Sequence, residues 1–81
     1  MKGVVLLGDR ECYVKDFPDP IPKSGEVRVK MMATGICGSD LHLYRITKEQ
    51  AKARGDRIPG HEPCGIVDMV GEGVKKIKEG D

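Results

Sequence analysis

The feature that most constrains this fold is the division of its metal-capable side chains between two short motifs that lie far apart. The first motif spans Gly35 to His42 (GICGSDLH) and the second spans Gly60 to Glu62 (GHE). Cys37 offers a thiolate, His61 an imidazole nitrogen and Glu62 a carboxylate oxygen, and zinc accepts all three donors. A zinc finger uses closely spaced ligand pairs, whereas here the fold itself must bring the donors together. The pattern therefore favours a catalytic zinc site with a position open to water or substrate.

The residues around the two motifs predict a mainly β fold. Lys2 to Leu7 and Glu11 to Phe17 are strand-like runs on either side of a turn-like Gly8-Asp9-Arg10, so they predict a β-hairpin. Glu26 to Met32 alternates apolar and charged residues and predicts a half-buried strand. Cys64 to Val70 is mostly apolar and predicts a further strand after the second motif.

A short helix is predicted beside the first motif. Ser39 or Asp40 is suited to cap it, because short polar side chains bind the free N–H groups at a helix start. Lys48 to Arg54 keeps helical propensity but has almost no apolar face, so an exposed segment is expected there. The glycines and proline of 55–60 then place His61 and Glu62 in a loop.

Composition narrows the class of protein. A chain of 81 residues with 38% hydrophobic and 33% charged residues forms at most one small domain with a small core. Its formal net charge of +1 gives no electrostatic basis for binding nucleic acid or an anionic membrane. No apolar run approaches the roughly 20 residues of a membrane span, and no secretory signal is visible. We expect a cytoplasmic protein with neither nucleic acid nor membrane as a partner.

The remaining cysteines need separate explanations, because three cysteines at unrelated spacings do not make a disulfide framework. Cys12 lies in a strand-like run and is expected to be a small buried residue. Cys64 lies two residues after Glu62 and is close enough in sequence to complete a metal site, but it begins an apolar strand. It is therefore also expected in the core.

The two motifs, in this order, resemble those of the zinc-dependent alcohol dehydrogenases of the medium-chain dehydrogenase/reductase family. The Pro-Asp-Pro-x-Pro segment at 18–22 and the Gly-Glu-Gly-Val segment at 71–74 extend the resemblance over almost the whole chain. It implies that residues 1–81 are the N-terminal part of a GroES-like catalytic domain, a partial β-barrel with one short helix near the metal loop. The Rossmann domain of such an enzyme would lie elsewhere, since no Gly-x-Gly-x-x-Gly occurs in this chain.

The resemblance implies an NAD(P)-dependent alcohol or polyol dehydrogenase in which Zn²⁺ polarises the alcohol oxygen for hydride transfer to the nicotinamide. The complete enzyme would use NAD or NADP and a small-molecule alcohol, and is expected to form a homo-oligomer. The 81 residues alone are expected not to turn over. A function of another class also stays open, namely a non-enzymatic, stand-alone GroES-like binding module whose metal loop is nonfunctional.

The resemblance also assigns roles to residues of the two motifs. Cys37 and His61 would be metal ligands. Glu62 would be either a ligand or a neighbouring carboxylate that approaches the metal during turnover. Asp40 would accept a hydrogen bond from the metal-bound imidazole, unless it serves only as a helix cap.

Two further residues of the first motif are assigned to catalysis on the same basis. Ser39 would take the proton of the alcohol, with helix capping as its alternative role. His42 would pass that proton outward, because imidazole titrates near neutral pH, and a surface position on the helix is its alternative.

Overall fold

The computed structural model describes every residue from Met1 to Asp81. Its elements, in chain order, are β1 (Lys2–Gly8), β2 (Glu11–Asp16), β3 (Val27–Thr34), α1 (Gly38–Arg45), α2 (Lys48–Arg54) and β4 (Pro63–Val70). The strands form two antiparallel two-stranded sheets, β1 with β2 and β3 with β4. The predicted mainly β class is therefore confirmed, and the strands do not close into a barrel.

The chain divides into two compact units. The first contains Met1–Pro18 and Gly35–Glu62, and the second contains Asp19–Thr34 and Pro63–Asp81. The first unit thus holds the β1–β2 hairpin and both helices, which pack against β1. Both predicted metal motifs lie within this first unit, so its internal structure decides their geometry.

The hairpin of the first unit is tied to the end of α1 through its turn. The turn residues Asp9 and Arg10 have positive φ angles of 49° and 61°, which direct their backbone N–H groups away from the hairpin ladder. Asp9 N–H donates to the Ile46 carbonyl oxygen at 2.7 Å, and Arg10 N–H donates to the Tyr44 carbonyl oxygen at 2.9 Å. These bonds satisfy carbonyls that a helix end leaves without intrahelical partners.

The second unit is built on the β3–β4 pair. Val67 is its buried side chain, at 8% exposure. The outer edge of β4 is bonded by the last residues of the chain, because Val67 N–H donates to the Asp81 carbonyl oxygen and Gly80 N–H donates to the Val67 carbonyl oxygen, both at 2.8 Å. Arg28 Nε donates to Asp68 Oδ1 at 2.8 Å and adds a charged contact between the two strands. The predicted strands of this unit are thus present.

A second helix, α2, stands where an exposed segment was predicted. The Thr47 hydroxyl accepts a hydrogen bond from Gln50 N–H at 3.2 Å, and the Gln50 side chain accepts one from Thr47 N–H at 3.0 Å. This reciprocal capping box starts the helix, and Ala51 is its buried residue at 6% exposure. The helix α2 therefore packs against β1 with one small buried side chain. Neither helix is long or apolar enough to span a membrane.

The prediction that Cys12 and Cys64 belong to the core is wrong, because both are exposed free thiols. Cys12 lies on the same face of β2 as Val14, which is 62% exposed. A strand pattern distinguishes two faces but does not say which face another element covers. The small core of this chain leaves several such apolar positions open.

The single side chain that is fully buried gives a test of the first unit. We expect Val5→Ala to lower the free energy of unfolding by about 1.5 kcal/mol, since it removes two buried methyl groups. Val14→Ala makes the same chemical change in the same hairpin at an exposed position, so its effect should stay under about 0.5 kcal/mol. Urea denaturation followed by circular dichroism measures both, and equal losses would contradict the packing described here.

Candidate metal centre

The first motif begins α1 with its cysteine. Cys37 is the N-cap of the helix, and its N–H donates to Asp40 Oδ2 at 2.9 Å. Asp40 thus occupies the third helical position of a capping box, where a carboxylate reaches back to the N-cap N–H. The prediction that Ser39 or Asp40 would itself be the cap residue is therefore wrong by two or three positions. The consequence is a thiol held at the start of the helix.

The second motif is joined to the first by the backbone. His61 and Glu62 follow α2 in a loop that leads to β4. Gly35 N–H donates to the Glu62 carbonyl oxygen at 3.0 Å, so the residue that ends the second motif is bonded to the residue that begins the first. This bond explains how donors that are far apart in the chain become neighbours.

The three predicted donors lie together in the structure. One ligand atom each from Cys37, His61 and Glu62 falls within 4.8 Å of the others. Two donors on one tetrahedral zinc ion, with bonds of about 2.0 to 2.3 Å, are about 3.5 Å apart. His61 Nε2 and Glu62 Oε2 are already 3.8 Å apart. The thiol, imidazole and carboxylate therefore fit a zinc ion with small side-chain adjustments and leave a fourth position for another ligand.

The two nitrogens of His61 face different carboxylates. Its Nε2 lies toward Glu62, while its Nδ1 is 4.0 Å from Asp40 Oδ1. The Asp40 side chain is only 18% exposed, whereas the imidazole is 56% exposed. The arrangement leaves Nε2 for a metal and points Nδ1 at a carboxylate, which is how metal-binding histidines are usually oriented. Asp40 thus makes the helix-capping contact and also faces the imidazole.

The structure separates the two residues predicted for proton transfer. Ser39 lines a pocket of about 290 Å³ together with Asp40 and His61. His42 is exposed on α1 and does not line this pocket. Ser39 therefore shares a pocket with one of the three donors, His61, while Cys37 and Glu62 do not line it. His42 lies one turn further along the helix surface.

Two arginines of the pocket were missed by reasoning from the sequence. Arg54 and Arg57 line the pocket although both are exposed, and neither was singled out as a site residue from the sequence. The other walls are mostly apolar, with Leu6, Leu43, Ile46 and Ile58 among them. No local sequence pattern predicts this pocket, because its lining residues come from β1, both helices and the loop after α2.

Gly35 is a further residue whose role depends on the fold. A Cβ atom at this position would lie 2.6 Å from Glu62 Oε1 and 3.3 Å from Glu62 Cβ. Its φ angle is not positive, so space rather than backbone conformation requires glycine here. The glutamate side chain therefore lies directly over Gly35.

We expect Gly35→Ala to displace the Glu62 carboxylate from the cluster and to weaken zinc binding by about 10-fold to 100-fold, as for other groups that position ligands. Gly38→Ala is the matched control, because a Cβ there meets no atom within 4 Å and its φ is also not positive. Chelator competition gives the zinc affinities, and the spectrum of the Co²⁺ form reports the donor set. Equal affinities for the two variants would show that Gly35 does not position Glu62.

Comparison with known proteins adds an independent line of support. Residues 23–81 match the family described as the alcohol dehydrogenase GroES-like domain. The whole chain (100%) aligns with 21% of the uncharacterized zinc-type alcohol dehydrogenase-like protein AdhB of Bacillus subtilis. The two sequences are 49% identical over the aligned residues. It is also 43% identical to an alcohol dehydrogenase of a Moraxella strain, of which it covers 24%. A third alignment joins 88% of the chain to 20% of an L-threonine 3-dehydrogenase of Pyrococcus furiosus, with 48% identity over the aligned residues.

The chain spans about a fifth to a quarter of the length of these relatives. The family match covers more than half of the chain and includes both metal motifs. The mainly β structure, with its two small sheets, is consistent with part of such a domain. The predicted resemblance is confirmed, and the chain belongs to the family of the alcohol dehydrogenase GroES-like domain.

Proposed function

We propose that this chain is the zinc-binding, N-terminal part of the catalytic domain of an NAD(P)-dependent alcohol or polyol dehydrogenase. The observation that carries the proposal is the cluster of Cys37, His61 and Glu62 donor atoms within 4.8 Å in a member of this family. The nicotinamide would be held by a Rossmann domain outside these residues, because the chain has no glycine-rich dinucleotide motif.

The protein residues of the cluster have distinct tasks in this proposal. Cys37, His61 and Glu62 hold the metal, and Asp40 keeps the imidazole turned so that Nε2 faces it. When bound, Zn²⁺ supplies Lewis acidity, which lowers the pKa of an alcohol hydroxyl. The three donors leave one tetrahedral position free. A small molecule would approach this position from the pocket beside His61, which Ser39 and Asp40 also line.

Ser39 performs the first proton transfer. Its hydroxyl would accept the alcohol proton while giving up its own, and the exposed His42, three residues further along α1 and outside the pocket, would pass that proton to water. The nicotinamide, bound outside these residues, would supply the acceptor for the hydride of the carbinol carbon. The overall products would be a carbonyl compound, NAD(P)H and one released proton, so atoms and charge balance.

Metal content tests the ligand assignment directly. We expect the purified chain to retain about one zinc ion, and Cys37→Ser to lose it, since a hydroxyl is a poor substitute for a thiolate. Cys12→Ser is the matched control, because Cys12 is an exposed free thiol outside the cluster. Elemental analysis after dialysis against a weak chelator measures the content. A wild-type chain without zinc would favour the alternative of a GroES-like module with a nonfunctional metal loop.

Kinetics test the assignment of Ser39 in a protein that joins this chain to its nicotinamide-binding domain. We expect Ser39→Ala to keep its zinc and to slow the chemical step by about 10² to 10⁴, typical of a lost acid–base group. The measurement is kcat with a deuterated alcohol, whose isotope effect shows whether hydride transfer limits the rate. Loss of zinc, or an unchanged rate when chemistry is limiting, would remove Ser39 from the mechanism.

A further inference from the structure

The pocket beside the metal cluster has a charge pattern that a simple alcohol does not need. One part of its wall is formed by Ser39, Asp40 and His61, so the pocket adjoins one of the three proposed metal donors. Arg54, at the end of α2, and Arg57, in the loop after it, also line this pocket, and both residues are exposed. Guanidinium is always charged and presents a planar set of donors that matches a carboxylate.

Neither arginine side chain is used inside the protein. No ion pair or side-chain hydrogen bond involves Arg54 or Arg57. The acidic residue between them in the sequence, Asp56, instead accepts a hydrogen bond from the Lys15 ammonium and thereby raises the pKa of Lys15. The guanidinium groups of two residues that line this pocket are therefore available to a ligand.

The acidic group of the pocket is also engaged elsewhere. Asp40 Oδ2 accepts the Cys37 N–H, and Asp40 Oδ1 faces His61 Nδ1. The two arginines and Asp40 give the pocket walls a net charge of +1, with His61 neutral. A zinc ion held by one thiolate and one carboxylate adds no net charge. The pocket therefore matches a ligand with a single negative charge better than a phosphate ester, which carries nearly two.

We propose that the alcohol bound in this pocket carries a carboxylate group, which Arg54 and Arg57 bind while the hydroxyl lies toward Ser39 and the metal cluster. This inference rests on the proposed function and names its substrate class, a small hydroxy acid. A volume of about 290 Å³ suits such a molecule and is at the lower end of the range for ligand pockets. The apolar walls contact the carbon chain, and the arginines fix its orientation.

The test uses two probes with the same carbon skeleton, L-lactate and (S)-propane-1,2-diol, in which a neutral CH₂OH replaces the carboxylate. Each is titrated into ¹⁵N-labelled chain at constant ionic strength, and the arginine Nε–H and pocket amide signals are followed by NMR. The test variant is Arg54→Gln/Arg57→Gln. The matched control is Arg45→Gln/Lys52→Gln, which removes the same charge from exposed positions that do not line this pocket. The unsubstituted chain and both variants are measured with zinc present, and again with Cys37→Ser added to each.

We expect lactate to bind at least about 10-fold more tightly than the diol, and this preference to disappear in the Arg54→Gln/Arg57→Gln variant but persist in the control. The preference should survive in Cys37→Ser, because the arginines do not depend on the metal. The inference would be overturned if lactate binding were unchanged in the Arg54→Gln/Arg57→Gln variant. It would also be overturned if lactate binding were lost in Cys37→Ser but not in the arginine variant. A chain that retains no zinc yet keeps the arginine-dependent preference would instead refute the proposed dehydrogenase while leaving the anion site in place.

Discussion

The hydrogen bond between Gly35 N–H and the Glu62 carbonyl oxygen is the contact on which the candidate site depends. It is a backbone bond, so it fixes the distance between the two motifs without relying on any flexible side chain. The missing side chain at Gly35 leaves the space into which the Glu62 carboxylate fits. Cys37 follows two residues later as the helix N-cap, and the thiol is thereby brought to the same place. The geometry of the cluster is thus set mainly by main-chain contacts.

Much of the framework could be predicted because its signals are local. The hairpin was visible from two strand-like runs and a turn, and the structure has β1 as Lys2–Gly8 and β2 as Glu11–Asp16. The metal donors could be proposed because a thiol, an imidazole and a carboxylate in two specific motifs are a distinctive chemical combination. What the motifs could not give was the geometry, which required Gly35 and Asp40 to make their contacts.

The features that escaped prediction depend on which surfaces meet in the folded chain. Ala51 is one small residue in a charged run, so its burial gives almost no helical amphipathicity to detect. The exposure of Cys12 follows from which face of the hairpin the helices cover. The local sequence around Arg54 and Arg57 does not indicate a pocket, because other parts of its lining come from β1 and α1. In each case the local residues are compatible with several environments, and only tertiary packing selects one.

In the proposed zinc site, the double contact of Asp40 would link helix stability to metal occupancy. One carboxylate holds the first turn of α1 through the Cys37 N–H and also faces the imidazole that presents Nε2 to a metal. By thermodynamic reciprocity, whatever steadies the metal also steadies the helix start, and fraying of the helix lowers metal affinity by the same factor. In that site, local opening of this one turn would be a route for metal to leave, and solution conditions that promote fraying would accelerate its exchange.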